Sequence, residues 1–370
     1  MTERTLAPTL SIVAVSRNDD HGGALLHRMQ LFINGLAEQC QRHRLHAELV
    51  LVEWNPPPDR PRLVDALSWP GEDELGQVRI IEVSPEVHRR FRYADRIALY
   101  QMIAKNAGIR RAQGEYLLAT NVDILFSDEM MRFLVSNGLQ KRCLYRVDRY
   151  DVPSDIPMDA LVDDQLEYCR KNIVRICGKN ETRNLKTGEV QKLYSDIPVV
   201  TGRLRRILAK VLPPRLRNWE GLKEQFILPT ERARLHTNAA GDFTLMAREH
   251  WFHLRGYHEF AMFSFHIDAL LCYMAYHAGL QETVLPYPIF HIQHSGHPDR
   301  GGWLPEAEHE QSLEKRVGEN PIPRLTNEQF DAWAVQMRRE RRSMIFNDEN
   351  WGLVNENLPE TVVSGTRTIR

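Results

Sequence analysis

The segment from Lys105 to Ser127 constrains the fold more than any other part of the chain. Its sequence, KNAGIRRAQGEYLLATNVDILFS, follows the start of a helix predicted over Ile97 to Ala112, breaks at Gly114 and continues as a buried strand over Tyr116 to Ala119. The strand runs directly into the polar turn Asn121-Val122-Asp123. A carboxylate at the carboxyl end of a buried strand lies where α/β sheets bind ligands, although aspartate is also a common turn former. The segment therefore predicts an α/β protein with a candidate ligand site at this turn.

Strand and helix patterns alternate through the first third of the chain. The predicted elements are a strand over Ser11 to Val15, an amphipathic helix over Ala24 to His43, a strand over Glu48 to Glu53 and a third strand over Val78 to Val83. This order is typical of βαβ units built on a parallel sheet. The same order of elements suits the nucleotide-binding half of an α/β protein.

The later parts of the chain are less regular. Prolines and charged runs interrupt residues 150–235, which favours an insertion of loops and short helices over a site. Order returns at His236, and a further exposed helix is predicted over Asn327 to Arg342. A segment around Trp351 is expected to dock on the domain, because tryptophan in a tail usually needs burial. We predict a domain over 1–305, with a nucleotide-binding half (10–130), an insertion (150–235) and an acceptor half (236–300), followed by a helical extension over 306–370.

The composition is that of an ordinary globular protein and gives no reason to expect nucleic acid as a partner. Among 370 residues, 42% are hydrophobic and 26% charged, and the net charge is -1. No stretch approaches the ~18 apolar residues of a membrane-spanning helix, and the apolar run from Leu10 to Val15 is a strand rather than a signal peptide. Five scattered cysteines without a C-x-x-C pair favour reduced thiols and a cytoplasmic location.

The turn at 121–123 resembles the metal- and nucleotide-sugar-binding turn of the GT-A glycosyltransferases, close to bacterial glycosyltransferase family 2. That family usually carries Asp-x-Asp there, and this chain has Asn121 at the first acidic position. Four further stretches resemble the family in the same chain order: Val13 to Asp19, Glu53, Thr237 to Glu259 and Phe265 to Leu271. The resemblance covers about residues 10–130 and 236–296. It implies a GT-A-like α/β fold: a mixed, mostly parallel central sheet flanked by helices, with an inserted region and a helical C-terminal tail.

The resemblance implies a nucleotide-sugar donor site at the ends of the first strands. Glu53 stands where the family commonly offers an acid to the base, and a carboxylate is a suitable acceptor for a uracil N3–H. The alternative for Glu53 is a surface loop residue. The predicted donor-binding residues are Ser16, Arg17, Asn18, Glu53, Asn55, Lys105, Asn121 and Asp123.

The resemblance also implies an acceptor site and a catalytic base. Gly241 allows a close backbone approach to a ligand, Asp242 is suited to accept hydrogen bonds from sugar hydroxyls, and Trp251 is either an acceptor contact or a core residue. Asp268 corresponds to the acid retained from the family's Glu-Asp motif and is the predicted base, with His266 as a neighbouring candidate. The alternative for Asp268 is a carboxylate that only stabilises a helix start.

A divalent metal, Mn²⁺ or Mg²⁺, is the cofactor that the resemblance implies. The family often has a histidine that completes the metal site in the region of His291 and His294. Asp123, one imidazole and the donor's diphosphate would together surround a hydrated ion. Residues spaced i and i+3 on a strand point to opposite faces, so we expect only one of the two histidines to be a ligand and favour His294.

The implied activity is inverting transfer of a sugar from a nucleotide-sugar to a hydroxyl of a saccharide or glycolipid in surface-polysaccharide biosynthesis, and a UDP-sugar is the expected donor. Two alternatives stay open: a sugar nucleotidyltransferase, and a non-catalytic nucleotide-sugar-binding or assembly subunit. A nucleotidyltransferase would want a glycine-rich basic loop after the first strand, and SRNDDHGG is acidic. Residues 203–217 are rich in arginine and indicate either a solvated helix face or a peripheral membrane contact.

Overall fold

The computed structural model describes residues 9–136, 138–193, 235–294 and 322–363. The arginine-rich segment 203–217 lies outside these ranges, so both interpretations of it stay predictions. Among the described residues, no helix is long and apolar enough to cross a bilayer. All five cysteines are buried free thiols.

Four parallel strands form the first half of the central sheet. They are rich in Val, Ile and Leu on both faces, as expected for strands covered by helices on both sides. Their order across the sheet is β3–β2–β1–β4. Their bounds are β1 Leu10–Ser16, β2 Ala47–Trp54, β3 Gly76–Val83 and β4 Tyr116–Thr120.

Two helices cover opposite faces of this parallel half. Helix α1 (Leu25–His43) packs with Ile12 and Ala14 of β1, whereas the face carrying Val13 and Val15 packs against a helix at Gln101–Arg111. The second helix begins four residues later than predicted, because residues 92–96 form turns and Tyr100 lies outside the helical backbone region (φ −86°, ψ 81°). Short helices complete this half: α2 Leu63–Ala66, α3 Glu72–Leu75, α4 Pro85–His88, α5 (the helix at Gln101–Arg111) and α6 Asp128–Val135.

The second half of the sheet is mixed. Strand β10 (Phe243–Ala247) runs antiparallel to β4 and to β6 (Cys143–Val152). Strand β11 (Gln281–Ile292) is parallel to β6 and antiparallel to the short β5 (Ile124–Phe126). The predicted α/β class, with a mixed central sheet flanked by helices, is confirmed.

The insertion is more regular than predicted in its described part. It contains helix α7 (Val162–Lys171) and three short antiparallel strands beside β6, which we did not predict from the sequence. These strands are β7 Arg175–Cys177, β8 Glu181–Asn184 and β9 Val190–Lys192.

The remaining helices follow the predicted order, and the C-terminal part adds a strand. They are α8 Arg248–Leu254, α9 Ile267–His277 and α10 Asn327–Glu340. Trp351 is buried, which confirms the predicted docking of its segment. The extension, predicted to be helical, contains the helix α10 and in addition a strand that we did not predict: β12 (Glu360–Val363) pairs with the edge of β3, where Thr and Val residues fit a strand.

Candidate functional site

The candidate site lies at the carboxyl ends of β1 and β4. The polar turn at 121–123 follows β4, and the loop at 17–24 follows β1. Because β10 is antiparallel to β4, its amino end, preceded by Gly241 and Asp242, meets the same edge of the sheet. The topology therefore brings three polar segments that are distant in sequence to one place.

Asp123, His291 and His294 form a cluster with the composition of a divalent metal site. The carboxylate Oδ2 of Asp123 lies 3.1 Å from Nε2 of His294 and 3.8 Å from Nε2 of His291. One ligand atom from each residue lies within 4.8 Å of the other two. The other carboxylate oxygen, Oδ1, is buried and has no hydrogen-bond partner among the described residues. An unpartnered carboxylate oxygen beside two imidazoles fits a divalent cation.

Both histidines reach Asp123, so the two rings do not point to opposite faces as the i, i+3 spacing on a strand predicted. That only one of them ligates an ion stays a prediction. Strand β11 ends at Ile292, so His294 lies outside the strand. The alternation of side chains between the two faces of a strand therefore does not apply to it. The two imidazole centroids are 5.4 Å apart. Gly22 of the loop after β1 packs directly against His294, since a Cβ on Gly22 would lie 2.5 Å from Nδ1 of that ring.

A buried cation, Arg28, borders the cluster. Its Nε lies 3.9 Å from Oδ2 of Asp123, and its other nitrogens donate to the carbonyls of His21 (2.7 Å) and Gly23. Burial lowers the pKa of Arg28, against the opposing effect of Asp123. Burial alone would raise the pKa of Asp123, but the two imidazoles and Arg28 hold it well below its ordinary value. Asp123 is therefore anionic, as a metal ligand must be.

Asp151 lies behind the cluster and contacts His291. Its Oδ1 is 3.0 Å from Nδ1 of that ring, and its side chain is fully buried. Arg149 pairs with Oδ1 at 2.9 Å, and Arg175 bonds Oδ2. Burial would raise the pKa of Asp151, but the two arginines outweigh it and hold that pKa far below its ordinary range.

Lys105 lies beneath the site and joins its two sides. Its Nζ donates to Oδ1 of Asn121 (2.9 Å) and to the carbonyl of Gly241 (2.6 Å), and its side chain is 0% exposed. Burial lowers its pKa to about 8, although Asp242, Asp268 and Asp123 act in the opposite direction. Direct donor binding by Lys105 is contradicted by this burial. It is instead a buried support of the polar turn and of the loop before β10.

Asn121 and Asp242 bond each other across the β4–β10 pair. The amide Nδ2 of Asn121 donates to Oδ1 of Asp242, and the other oxygen of Asp242 accepts from Arg149 at 2.6 Å. Asp242 is buried, while Asn121 is partly exposed. The chain's departure from Asp-x-Asp thus supplies a hydrogen-bond donor to a neighbouring carboxylate.

Asp268 is half-buried at the first turn of α9. Its Oδ2 accepts the backbone N–H of Gly241 at 2.7 Å, and its Oδ1 accepts that of Ala269 at 2.9 Å. Gly241 in turn bonds Lys105, which bonds Asn121 in the turn that carries Asp123. The predicted base and the predicted metal ligand therefore border one connected network.

A second group of predicted donor residues lies at the ends of β1 and β2. Glu53 accepts the N–H of Leu63 (3.0 Å), Asn18 donates to the carbonyl of Pro61 (2.9 Å), and Arg17 donates to that of Asn55 (2.7 Å). Burial raises the pKa of Glu53 to about 7. These bonds shape the loop at 55–63, and the buried Oδ1 of Asn18 has no hydrogen-bond partner among the described residues.

Three predicted site residues have other roles. The hydroxyl of Ser16 is buried against the sulfur of Met29 at 3.2 Å, so it faces α1 rather than the sheet edge. Trp251 is 0% exposed and donates to the carbonyl of Leu117, so the prediction of an acceptor contact is wrong and the core alternative is right. His266 bonds Asn327 at 2.7 Å and stacks on Phe330, so its imidazole belongs to the contact between α9 and α10.

Sequence reasoning missed Arg28, Arg149 and Asp151, although patterns in the chain mark them. Arg28 interrupts the buried face of α1, where an arginine is rarely found unless it has a partner. One face of β6 begins with Cys143, Tyr145 and Val147 and continues with Arg149 and Asp151. A buried face that changes from apolar to charged along one strand indicates a polar site at that end.

Comparisons with known proteins find likeness only among solved structures. Neither a family model nor a curated protein sequence matches the chain. Residues 1–349 of TarS from S. aureus, in complex with UDP-GlcNAc, are 10% identical, with a TM-score of 0.40 over 90% of this chain and 72% of that one. The mannosyltransferase PcManGT from Pyrobaculum calidifontis, in complex with GDP-Man and Mn²⁺, is 12% identical, with a TM-score of 0.37 over 91% and 74%. The galactosyltransferase LgtC, with donor and acceptor sugar analogues, is 14% identical, with a TM-score of 0.34 over 84% and 97%.

Proposed function

We propose that this protein is a glycosyltransferase that moves a sugar from a nucleotide-sugar to a hydroxyl acceptor. The observation that carries the proposal is the pairing of two features across Lys105. On one side is the Asp123–His291–His294 cluster, and on the other is the half-buried carboxylate of Asp268. A cation site for a diphosphate and a separate base are the two parts that sugar transfer needs.

Asp268 would act as the general base in a single inverting displacement. Its carboxylate takes the proton of the acceptor hydroxyl while that oxygen forms a bond to the anomeric carbon. The bond from that carbon to the nucleoside diphosphate breaks, and the diphosphate leaves with the electron pair. Each oxygen of Asp268 accepts one backbone N–H, and a carboxylate oxygen has a second lone pair to receive a proton.

Asp123, His291 and His294 would hold a divalent cation. When bound, the ion supplies positive charge that stabilises the departing diphosphate. Two imidazole nitrogens beside one carboxylate favour a first-row transition ion such as Mn²⁺ over Mg²⁺, because Mg²⁺ prefers oxygen ligands. Arg28 offsets the charge of Asp123, so the donor's diphosphate would contribute much of the negative charge around the ion.

The nucleoside would bind at the ends of β1 and β2. The unpartnered Oδ1 of Asn18 and the carboxyl of Glu53 are acceptors suited to N–H groups of a base, which supports a uridine donor. A saccharide or glycolipid hydroxyl would approach Asp268, and a surface-polysaccharide pathway is the proposed setting. The protein would act in the cytoplasm or at the inner face of a membrane.

The proposal is tested by donor turnover in the full-length protein. Thermal shift with a panel of UDP- and GDP-sugars, with and without Mn²⁺, identifies the donor, because a ligand stabilises the folded state that binds it. Asp268→Asn is expected to lower turnover of that donor by about 10²- to 10⁴-fold with donor binding retained. Turnover unchanged in Asp268→Asn contradicts the assignment of the base.

A matched control separates catalysis from helix stabilisation. Asp163 occupies the same second position of α7 that Asp268 occupies in α9, and it is an exposed first-turn acid. Asp163→Asn should leave turnover unchanged. Synthesis of a nucleotide-sugar from a nucleoside triphosphate and a sugar 1-phosphate would favour the nucleotidyltransferase alternative. Donor binding without turnover of any donor would favour the assembly subunit.

A further inference from the structure

Three residues on neighbouring strands form a row that leads from the insertion to the candidate metal site. Arg175 of β7 is paired with Asp151 of β6 in the antiparallel register, and Asp151 is paired with His291 of β11 in the parallel register. Their side chains are also bonded in that order, Arg175 to Oδ2 of Asp151 and Oδ1 of Asp151 to Nδ1 of His291. The row is therefore fixed by strand pairing as well as by side-chain contacts.

The bond to Asp151 determines which nitrogen of His291 carries the proton. An anionic carboxylate accepts and cannot donate, so the neutral ring places its hydrogen on Nδ1. Nε2 is then left with its lone pair, and Nε2 is the atom that lies 3.8 Å from Asp123. A ring held in this form presents a metal-ligating nitrogen to the cluster before any ion arrives.

We propose that Asp151, held by Arg175, is a positioning residue that sets His291 as a metal ligand and thereby controls the affinity for the ion. The inference rests on the proposed function, because that function supplies the metal. Asp151 does not touch donor, acceptor or ion. Asp151 contacts the cluster through the imidazole of His291, so its removal should be felt first in metal binding. Its other link, through Arg149, leads to Asp242.

Asp151→Asn keeps the shape of the side chain but replaces one carboxylate oxygen, a hydrogen-bond acceptor, with an amide NH₂, which is a donor. Arg175, which bonds Oδ2, attracts the amide oxygen to that position, so the amide NH₂ is turned towards Nδ1 of His291. Arg149 lies close to both oxygens of Asp151 and does not by itself select one orientation. Nδ1 must then accept, and the ring hydrogen moves to Nε2, where it blocks a metal bond. Loss of such an outer carboxylate typically lowers metal affinity by about 10- to 100-fold.

The experiment is a titration of the full-length protein with Mn²⁺, followed by the EPR signal of the free ion. Asp151→Asn should bind Mn²⁺ about 10- to 100-fold more weakly than the wild type. Asp148→Asn is the matched control, since Asp148 lies on the same strand and bonds His236 instead; its affinity should match the wild type. Equal affinity in Asp151→Asn and the wild type overturns the inference. A wild type that binds no Mn²⁺ overturns the metal site itself, which is a different result.

A metal-free measurement tests the same point if a variant folds poorly. Ring ¹⁵N chemical shifts of His291 distinguish hydrogen on Nδ1 from hydrogen on Nε2 in the neutral ring. The wild type should carry hydrogen on Nδ1, and Asp151→Asn should shift the population towards hydrogen on Nε2. Hydrogen on Nε2 in the wild type contradicts the inference, whatever the metal titration gives.

Discussion

The amide at position 121 lets two short polar side chains meet at close range. Asn121 donates to one oxygen of Asp242, and Lys105 donates to the amide oxygen of Asn121. An aspartate at position 121 would place two carboxylates against each other in a partly buried setting, where like charges are strongly unfavourable. The residue that departs from the Asp-x-Asp pattern is thus the one that fits its surroundings.

Asn121→Asp is therefore expected to be harmful even though it restores the family pattern. Loss of one hydrogen bond and the new repulsion should lower the free energy of unfolding by about 1–3 kcal/mol. Urea denaturation measures the change, with Asn121→Ala as the control that removes the donor without adding charge. A variant that is as stable as the wild type and binds Mn²⁺ more tightly would show instead that position 121 is a latent metal ligand.

Gly22 and Gly23 form a matched pair that separates a steric clash from backbone strain. Both have positive φ angles, +75° and +79°, which disfavour alanine. A Cβ on Gly22 would lie 2.5 Å from Nδ1 of His294, whereas a Cβ on Gly23 would have no atom within 4 Å. Gly22→Ala should weaken Mn²⁺ binding by displacing the imidazole, and Gly23→Ala should not. Equal affinities in the two variants would contradict the packing of Gly22 on His294.

Glu53 makes stability depend on pH in an unusual direction. Burial raises its folded-state pKa to about 7, above the ordinary value of 4.5. Between these values the folded state holds a proton that the unfolded chain has released, so stability falls as the pH rises through this window. Glu53→Gln cannot titrate. The stability of the wild type relative to this variant should therefore be greatest near pH 4.5 and fall towards pH 7, as measured by urea denaturation. A constant difference, or one that increases with pH, would contradict the shift.

At the scale of elements, one arginine holds the loop that leads into β10. Arg146 of β6 is fully buried and donates to the carbonyls of His236 (2.8 Å) and Asn238 (2.9 Å) and to the hydroxyl of Thr244 (3.2 Å). The same loop presents the N–H of Gly241 to Asp268. A strand that carries no predicted catalytic residue thus positions the candidate base.

Arg146→Met should remove the hydrogen bonds that hold the loop before β10. Each carbonyl left buried without a donor costs about 1–3 kcal/mol, so we expect a loss of about 3 kcal/mol or more in the free energy of unfolding. Donor turnover should fall as well, because the loop then no longer fixes Asp268. Arg142→Met, an exposed site just before the same strand, is the control and should change stability by less than about 0.5 kcal/mol. Similar changes in the free energy of unfolding in the two variants would contradict this role of Arg146.

The elements that sequence patterns predicted well are those with one clear period. Strands β1, β2 and β4 contain continuous apolar runs, β3 mixes Val and Ile with polar residues, and α1 has a single apolar face. Their types and approximate bounds therefore follow from the sequence. Strands β7 to β9 are three or four residues long and mostly polar. They exist because β7 pairs with the end of β6, β8 with β7 and β9 with β8. Tertiary pairing of this kind leaves no local pattern.

The same distinction applies to the candidate site. Asp123 is predicted from its place at the end of a buried strand, and Asp268 from its resemblance to the family's Glu-Asp motif. Asp151 depends on β6 lying next to β11, a pairing between residues about 140 apart in sequence that no local pattern encodes. The assumption of a continuous strand through His294 failed for a related reason, since the end of β11 is set by the pairing that stops at Ile292.

At the scale of the whole molecule, the C-terminal segment contacts both halves of the domain. The ring of Trp351 packs under the guanidinium of Arg110 on α5, at 4.9 Å, and against Phe252 of α8, at 5.4 Å between centroids. The next residue, Gly352, donates to Glu259 and accepts from Arg111. The segment thus connects α5 with α8 and with Glu259.

Trp351→Ala should therefore destabilise the whole domain and not only the tail. Truncation of a fully buried tryptophan costs about 3–5 kcal/mol, and contacts to both halves should keep urea unfolding a single transition with a lower midpoint. Val354→Ala, three residues on and partly exposed, is the control and should change the free energy of unfolding by less than about 0.5 kcal/mol. Two separate transitions in the variant, with the main one at the wild-type midpoint, would show that the segment is only attached to the domain. A single lowered transition, with donor affinity reduced in proportion to the unfolded fraction, would instead assign it to the cooperative core.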